Sequence, residues 1–170
     1  LKARAFKAGM QDSDVATGVY TIVASDTTPP TVTAFSVTPG SVLLGNAFTI
    51  TYSVADTGGS GLKQVELWRA NDSGGKPVGW TEIRRVYVSG NSYSGTFTDT
   101  PSAAGIYWYG LHVVDNAGNW NDEGNSHTGG KPGVFGPLQR VVNLPKVATP
   151  TFSPAPGTYT GSVTVAISCA

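Results

Sequence analysis

The sequence predicts an all-β protein, an antiparallel β-sandwich, on three observations. No segment longer than about ten residues carries a helical period of apolar side chains. Runs rich in Val, Thr and Tyr recur along the chain and are broken by Gly, Pro and Asn, which is the pattern of a sandwich or barrel. Charged residues make up 13% of the 170, about half the ~25% usual for soluble domains, and 22 glycines are present. Thr, Ser, Gly and Val stand where Lys and Glu are scarce, a composition that suits pleated sheets.

Two proline-punctuated stretches divide the chain. In "DTTPPT", Asp26 to Thr31, two adjacent prolines remove two backbone donors and stiffen an extended linker. Pro145 and Pro150 punctuate "NLPKVATP" in the same way. The expected organisation is the closing strands of a small β module in 1–25, a sandwich in 26–145, and the opening strands of a second small module in 146–170. The middle unit is close to the ~100 residues of an immunoglobulin-like sandwich.

Seven strands are expected within it: Val32–Val37, Ala47–Val54, Leu62–Arg69, Trp80–Val88, Tyr93–Thr98, Ile106–Val114 and Leu138–Val142. The second alternates most regularly, with Phe48, Ile50, Tyr52 and Val54 facing one way and Thr49, Thr51 and Ser53 the other. In the sixth, Tyr107, Tyr109, Leu111 and Val113 should face the core, leaving Trp108, Gly110 and His112 outside. Val65 and Leu67 of the third complete the expected core.

The flanks raise a separate question. Val163, Val165 and Ile167 alternate as a half-buried strand does, yet the sequence supplies no obvious partner, and a hairpin alone is marginal in water. Ala3, Ala5, Val19, Tyr20 and Ile22 give the opening segment similar apolar character, in which disordered tails are poor. Leu1 stands first in place of Met. The expectation is a window of a longer chain whose ends complete sheets with neighbouring modules or copies, through residues 1–24 and 148–170.

"TITYSVADTGGSGLKQVELW" (49–68) and "YSGTFTDTPSAAGIYWYGLHVVDNAGNW" (93–120) resemble the bacterial immunoglobulin-like and fibronectin type III-like modules of secreted proteins, a likeness covering roughly 28–144. Its markers are "VAD" ending the second strand, "GSGLKQVELW" opening the third and "DNAGN" after the sixth. "LKARAFKAGMQDSDVATGVYTI" is similar to the last strands of the chitobiase/β-hexosaminidase C-terminal repeat, and "ATPTFSPAPGTYTGSVTVAISCA" to its opening strands. The resemblance implies an immunoglobulin-like antiparallel β-sandwich with partial β modules at both ends, in an extracellular or cell-surface setting. The architecture itself hosts many roles.

Composition narrows the function classes. The formal net charge is zero, so the basic surface that nucleic acid or an anionic membrane demands is missing. No run of about 20 apolar residues is present, and no membrane insertion is expected. Neither histidine, His112 nor His127, sits in a nucleophile context, and no nucleophile elbow or metalloprotease helix is present. No enzymatic activity and no cofactor are therefore expected. His112 reads as a half-exposed structural side chain, and His127 as a loop residue. Cys169, the single cysteine, reads as a small buried hydrophobe.

Two places could bind something. Trp68, Trp108 and His112 should share the open face of one sheet, because the third and sixth strands of such a sandwich are neighbours. Aromatic rings there could stack against sugars, although cover by the fourth strand's long loop or an adjacent module is the reading the sequence favours. "DNAGNWNDEGN" gathers Asp115, Asp122 and Glu123, which together with Asp56 could offer calcium its hard oxygens. Asn, Asp and Gly also build ordinary turns, so the sequence predicts no tightly bound calcium. The expected function is a structural spacer in a large extracellular bacterial surface or filament-forming protein. The alternative is a carbohydrate-binding accessory module of a secreted glycoside hydrolase, with polysaccharide as partner.

Overall fold

The strands of the sandwich follow from alternation. In the computed structural model, which describes residues 1–21, 25–121 and 137–169, the chain is all-β. Eight strands build two sheets: β3 (Thr31–Thr38), β4 (Ser41–Leu43), β5 (Phe48–Ala55), β6 (Leu62–Ser73), β7 (Lys76–Tyr87), β8 (Ser92–Asp99), β9 (Gly105–Asp115) and β10 (Leu138–Asn143). One sheet has the order β3-β5-β8 and the other β4-β10-β9-β6-β7. β1 (Lys2–Ala3) and β2 (Ala16–Thr17) form a separate pair, as do β11 (Thr151–Ser153) and β12 (Ala166–Ser168).

Every residue expected in the core is there. Phe48, Ile50, Tyr52, Val65, Leu67, Tyr107, Tyr109, Leu111 and Val113 are all buried. Phe48 meets Tyr109 of the facing sheet edge-on, with ring centroids 5.7 Å apart. Tyr52 stacks on Phe97 at 4.9 Å. With apolar side chains inside, β5 leaves Thr49 and Thr51 in solvent, and Ser53 and Ser94 share a 2.8 Å hydrogen bond on the outer face. This is the division that period-two patterning dictates.

The seven expected strands all form, with three differences. β4 was not foreseen: three residues are too short to show a period. It runs parallel to β10, so the sandwich is not wholly antiparallel. Val42 from this strand joins the core. β6 and β7 are also longer than expected and meet at Gly74–Gly75, whose φ angles are +62° and +80°. A two-residue connection with both φ positive matches the twist of the flanking strands, and two glycines adopt it without a Cβ penalty. The Gly-Gly pair is a hairpin signal, and it lies in the stretch 70–79 between the expected third and fourth strands.

The end segments differ more from expectation. Only Ala166–Ser168 of the alternating run forms a strand, leaving Val163 and Val165 outside it. Cys169 is exposed, not buried, because β12 has no second sheet to face. Its thiol lies 3.1 Å from the Ala148 carbonyl oxygen. Ile22 and His127 lie outside the described residues. No helix among the described residues is long and apolar enough to cross a membrane.

Candidate functional site

The open face of the five-stranded sheet carries the aromatic group. On this face β6 presents Gln64, Glu66 and Trp68, while β9 presents Trp108 and His112, with Glu66 opposite His112 in the ladder. Glu66 is the hub. Its carboxylate accepts from Gln64 Nε2 at 2.6 Å and Trp68 Nε1 at 2.9 Å, and it lies 2.8 Å from His112 Nδ1. Arg85 of β7 adds an ion pair at 3.0 Å. These neighbours cover Glu66 so well that it is 3% exposed although it faces away from the core.

Burial alone would push the Glu66 carboxyl up. The hydrogen bonds from His112 and Trp68, with the charges of His112 and Arg85, outweigh it and hold the carboxyl below its ordinary value. A depressed folded-state value has a definite sign in stability. The contribution is complete above the ordinary value of 4.5 and is lost as pH falls through the lower folded one. Acid titration followed by near-UV dichroism should show wild type losing stability below about pH 4.5. Glu66→Gln should lose less over the same interval.

Trp108 sits four residues from His112 along β9 and donates Nε1–H to Asp72 Oδ1 at 2.7 Å. Asp72 accepts from Gly75 N–H as well, and the Trp108 bond is the main reason its carboxyl lies below the ordinary range. His112 packs edge-on against Trp120 at 4.9 Å. Trp68, Trp108 and His112 thus share one face as expected. All three are half-buried, and each side chain is bonded to a carboxylate of the same face.

A second group forms at one end of the sandwich. Asp56 follows β5, Asp115 ends β9, and Asp26 comes from the proline-rich segment leading into β3. One carboxylate oxygen from each lies within 4.8 Å of the others. Asp115 is fully buried and Asp56 is 3% exposed. Local backbone bonds orient each acid. Asp56 accepts from Gly58 N–H at 2.9 Å and Gly61 N–H at 2.7 Å. Asp26 accepts from Thr28 N–H at 2.8 Å and Ser60 N–H at 3.0 Å. Asp115 accepts the Asn119 N–H and side-chain amide, both at 2.8 Å. The same Asn119 amide reaches the Asp26 carbonyl at 3.1 Å, tying linker to loop.

The space here is made by glycine. A Cβ on Gly58 would collide with the Asp26 carboxylate, so the loop closes over the acid only with glycine there. Of the sequence-derived candidates, Asp115 and Asp56 do come together, whereas Asp122 and Glu123 lie outside the described residues. Asp26 was read only as linker. The signal that places it is topological: β3 and β5 pair antiparallel from Thr31↔Ala55, and β6 and β9 from Leu62↔Asp115. The entry to β3 therefore shares an end with the exits of β5 and β9.

The chain matches no family model, and no curated protein matches it significantly.

Proposed function

We propose that this chain is a spacer segment of an extracellular, multi-module protein, an immunoglobulin-like sandwich whose flanking pieces engage neighbouring modules or copies. The observation that carries the reading is where apolar surface lies. In the opening flank Leu1, Phe6, Met10, Val19 and Tyr20 are exposed; in the closing flank Phe152, Val163, Val165 and Ile167 are. The sandwich between them buries a continuous apolar core and leaves Leu43, Val78, Tyr87, Ile106 and Trp120 as its larger exposed apolar side chains. Each flank has a ladder of only two or three residues to hold it. Such pairs do not cover an apolar face in water. The closing flank also forms an apolar hollow of about 340 Å³ lined by Phe152, Pro154, Pro156, Tyr159, Val163 and Val165.

Apolar pieces at both ends of a self-sufficient sandwich suit a link in a string. Head-to-tail contacts between identical links do not close on themselves and would build a filament. The extracellular setting rests on the resemblance stated above. The carbohydrate-binding alternative has less support, since the indole N–H groups of Trp68 and Trp108 are committed to Glu66 and Asp72. No catalytic role is proposed. Removal of residues 148–170 tests the reading. The truncated protein should lose solution mass, or lose amide protection in residues 1–21. If mass and protection are both unchanged, the flanks are independent tails and the spacer reading loses its support.

A further inference from the structure

We infer that Asp26, Asp56, Asp115 and the Ser60 hydroxyl form a binding site for one divalent cation, and that calcium is the ion whose chemistry it fits. The carboxylate spacing matches a shared ion. Calcium–oxygen bonds of 2.3–2.6 Å place two ligands at most about 4.6–5.2 Å apart. The three oxygens here lie within 4.8 Å of one another.

Charge gives the site its driving force. Three carboxylates, two of them buried, converge from separate segments, and among the described residues no ion pair reaches any of them. Like charges brought this close out of water raise one another's energy unless a cation lies between them. Ser60 is an independent sign. Its Oγ is fully buried and makes no hydrogen bond. Its own N–H donates to Asp26 Oδ2, which places the hydroxyl beside the cluster. A buried hydroxyl without a partner is costly, and a metal–oxygen bond would satisfy it.

The donors also select the ion. All four are hard oxygens, with no thiolate or imidazole among them, which disfavours zinc and copper. They come from a linker, the loop after β5 and the end of β9, an irregular set that suits the adaptable shell of calcium better than the strict octahedron of magnesium. The Asn119 and Gly61 bonds would act as an outer shell that fixes the carboxylates in place. With the ion bound, the segment before β3 would be pinned to the β5–β6 loop and to the end of β9. The joint at Asp26 would then become rigid.

Calorimetric titration of the whole chain with calcium chloride tests this, alongside thermal melts in calcium and in chelator. Expected is saturable binding of one ion per chain with a dissociation constant of about 10⁻⁴–10⁻³ M, the range of extracellular modules. The melting temperature should rise by several degrees in millimolar calcium, because a ligand of the native state stabilises it. Magnesium at equal concentration should give no comparable rise. Asp26→Asn and Asp115→Asn should each weaken binding at least tenfold, and Ser60→Ala by a smaller factor. Asp115 is buried, so its variant could fail to fold. Asp26 lies at the surface of the cluster, and its variant keeps the test decisive. The inference is overturned if calcium produces no saturable heat, if the two melts superimpose, or if folded Asp26→Asn binds as wild type does.

Discussion

Replacing Tyr109 by alanine is expected to lower the unfolding free energy by about 3–5 kcal/mol, the range for deleting a buried aromatic side chain. Tyr109 is fully buried, and its ring meets Phe48 across the two sheets. The cost has an apolar and a polar part. Close-packed neighbours cannot collapse into the space of a whole ring, so a cavity remains. The hydroxyl donates to Asp99 Oδ2 at 2.7 Å, and deletion takes one donor from a buried carboxylate. Burial, followed by the Asp99 contact, pushes the Tyr109 phenol well above its ordinary value, so the hydroxyl stays a donor through neutral pH. Urea unfolding of Tyr109→Phe beside Tyr109→Ala separates the parts. The phenylalanine variant should lose only about 1–2 kcal/mol, as expected for a buried hydrogen bond. Equal losses in the two variants would mean that the ring contributes nothing, and the core described here would be wrong.

Asp99→Ala should be nearly as damaging, at roughly 3 kcal/mol, because it breaks a buried pair by removing one side. Asp99, at the end of β8 and 6% exposed, accepts two bonds from Arg69 Nη1, at 2.9 and 3.1 Å, as well as the Tyr109 hydroxyl. β8 belongs to one sheet, and β6 and β9 to the other, so this trio ties the sandwich together where no disulfide does. The Arg69 guanidinium also lies 5.1 Å from the Tyr107 ring centroid. Arg69 retains some contact with water, which keeps the loss toward the lower end of the range for buried pairs. The double variant Asp99→Leu with Arg69→Met should recover part of the stability, since hydrophobic replacement of both partners removes the unpaired charge while the buried Tyr109 hydroxyl still loses its acceptor. A thermodynamic cycle on these variants measures the coupling. A cycle that sums to zero would show that the two side chains do not act together.

The carboxylates show how far sequence carries a site. Asp56 and Asp115 were recognisable as loop oxygens beside strand ends, because Asp next to Gly and Asn marks a turn wherever it falls. Nothing local distinguished Asp26 from an ordinary linker residue. Its neighbours are fixed by strand pairing over dozens of residues, from Thr31 to Ala55 and from Leu62 to Asp115. Glu66 was legible as an outward residue of β6. Its near-complete burial was not, because Arg85, Trp68 and His112 supply the cover, and Arg85 arrives from β7 through the hairpin at Gly74–Gly75. Asp99 gave no signal at all, since its partners belong to the opposite sheet.

The sequence by itself determined the all-β class, the seven strands and their inward faces. Those depend on a period of two within each segment, and Phe48, Ile50, Tyr52 and Val54 state it without help from the rest of the chain. Only the tertiary structure decided the parallel pairing of β4 with β10, the tie between Asp99 and Arg69, and the meeting of Asp26 with Asp56 and Asp115. These contacts join residues remote in the chain, and no local preference encodes a distance across a fold. It also decided that Cys169 is exposed. An alternating pattern says which face of a strand is apolar, and burial of that face requires a second sheet, which β12 lacks.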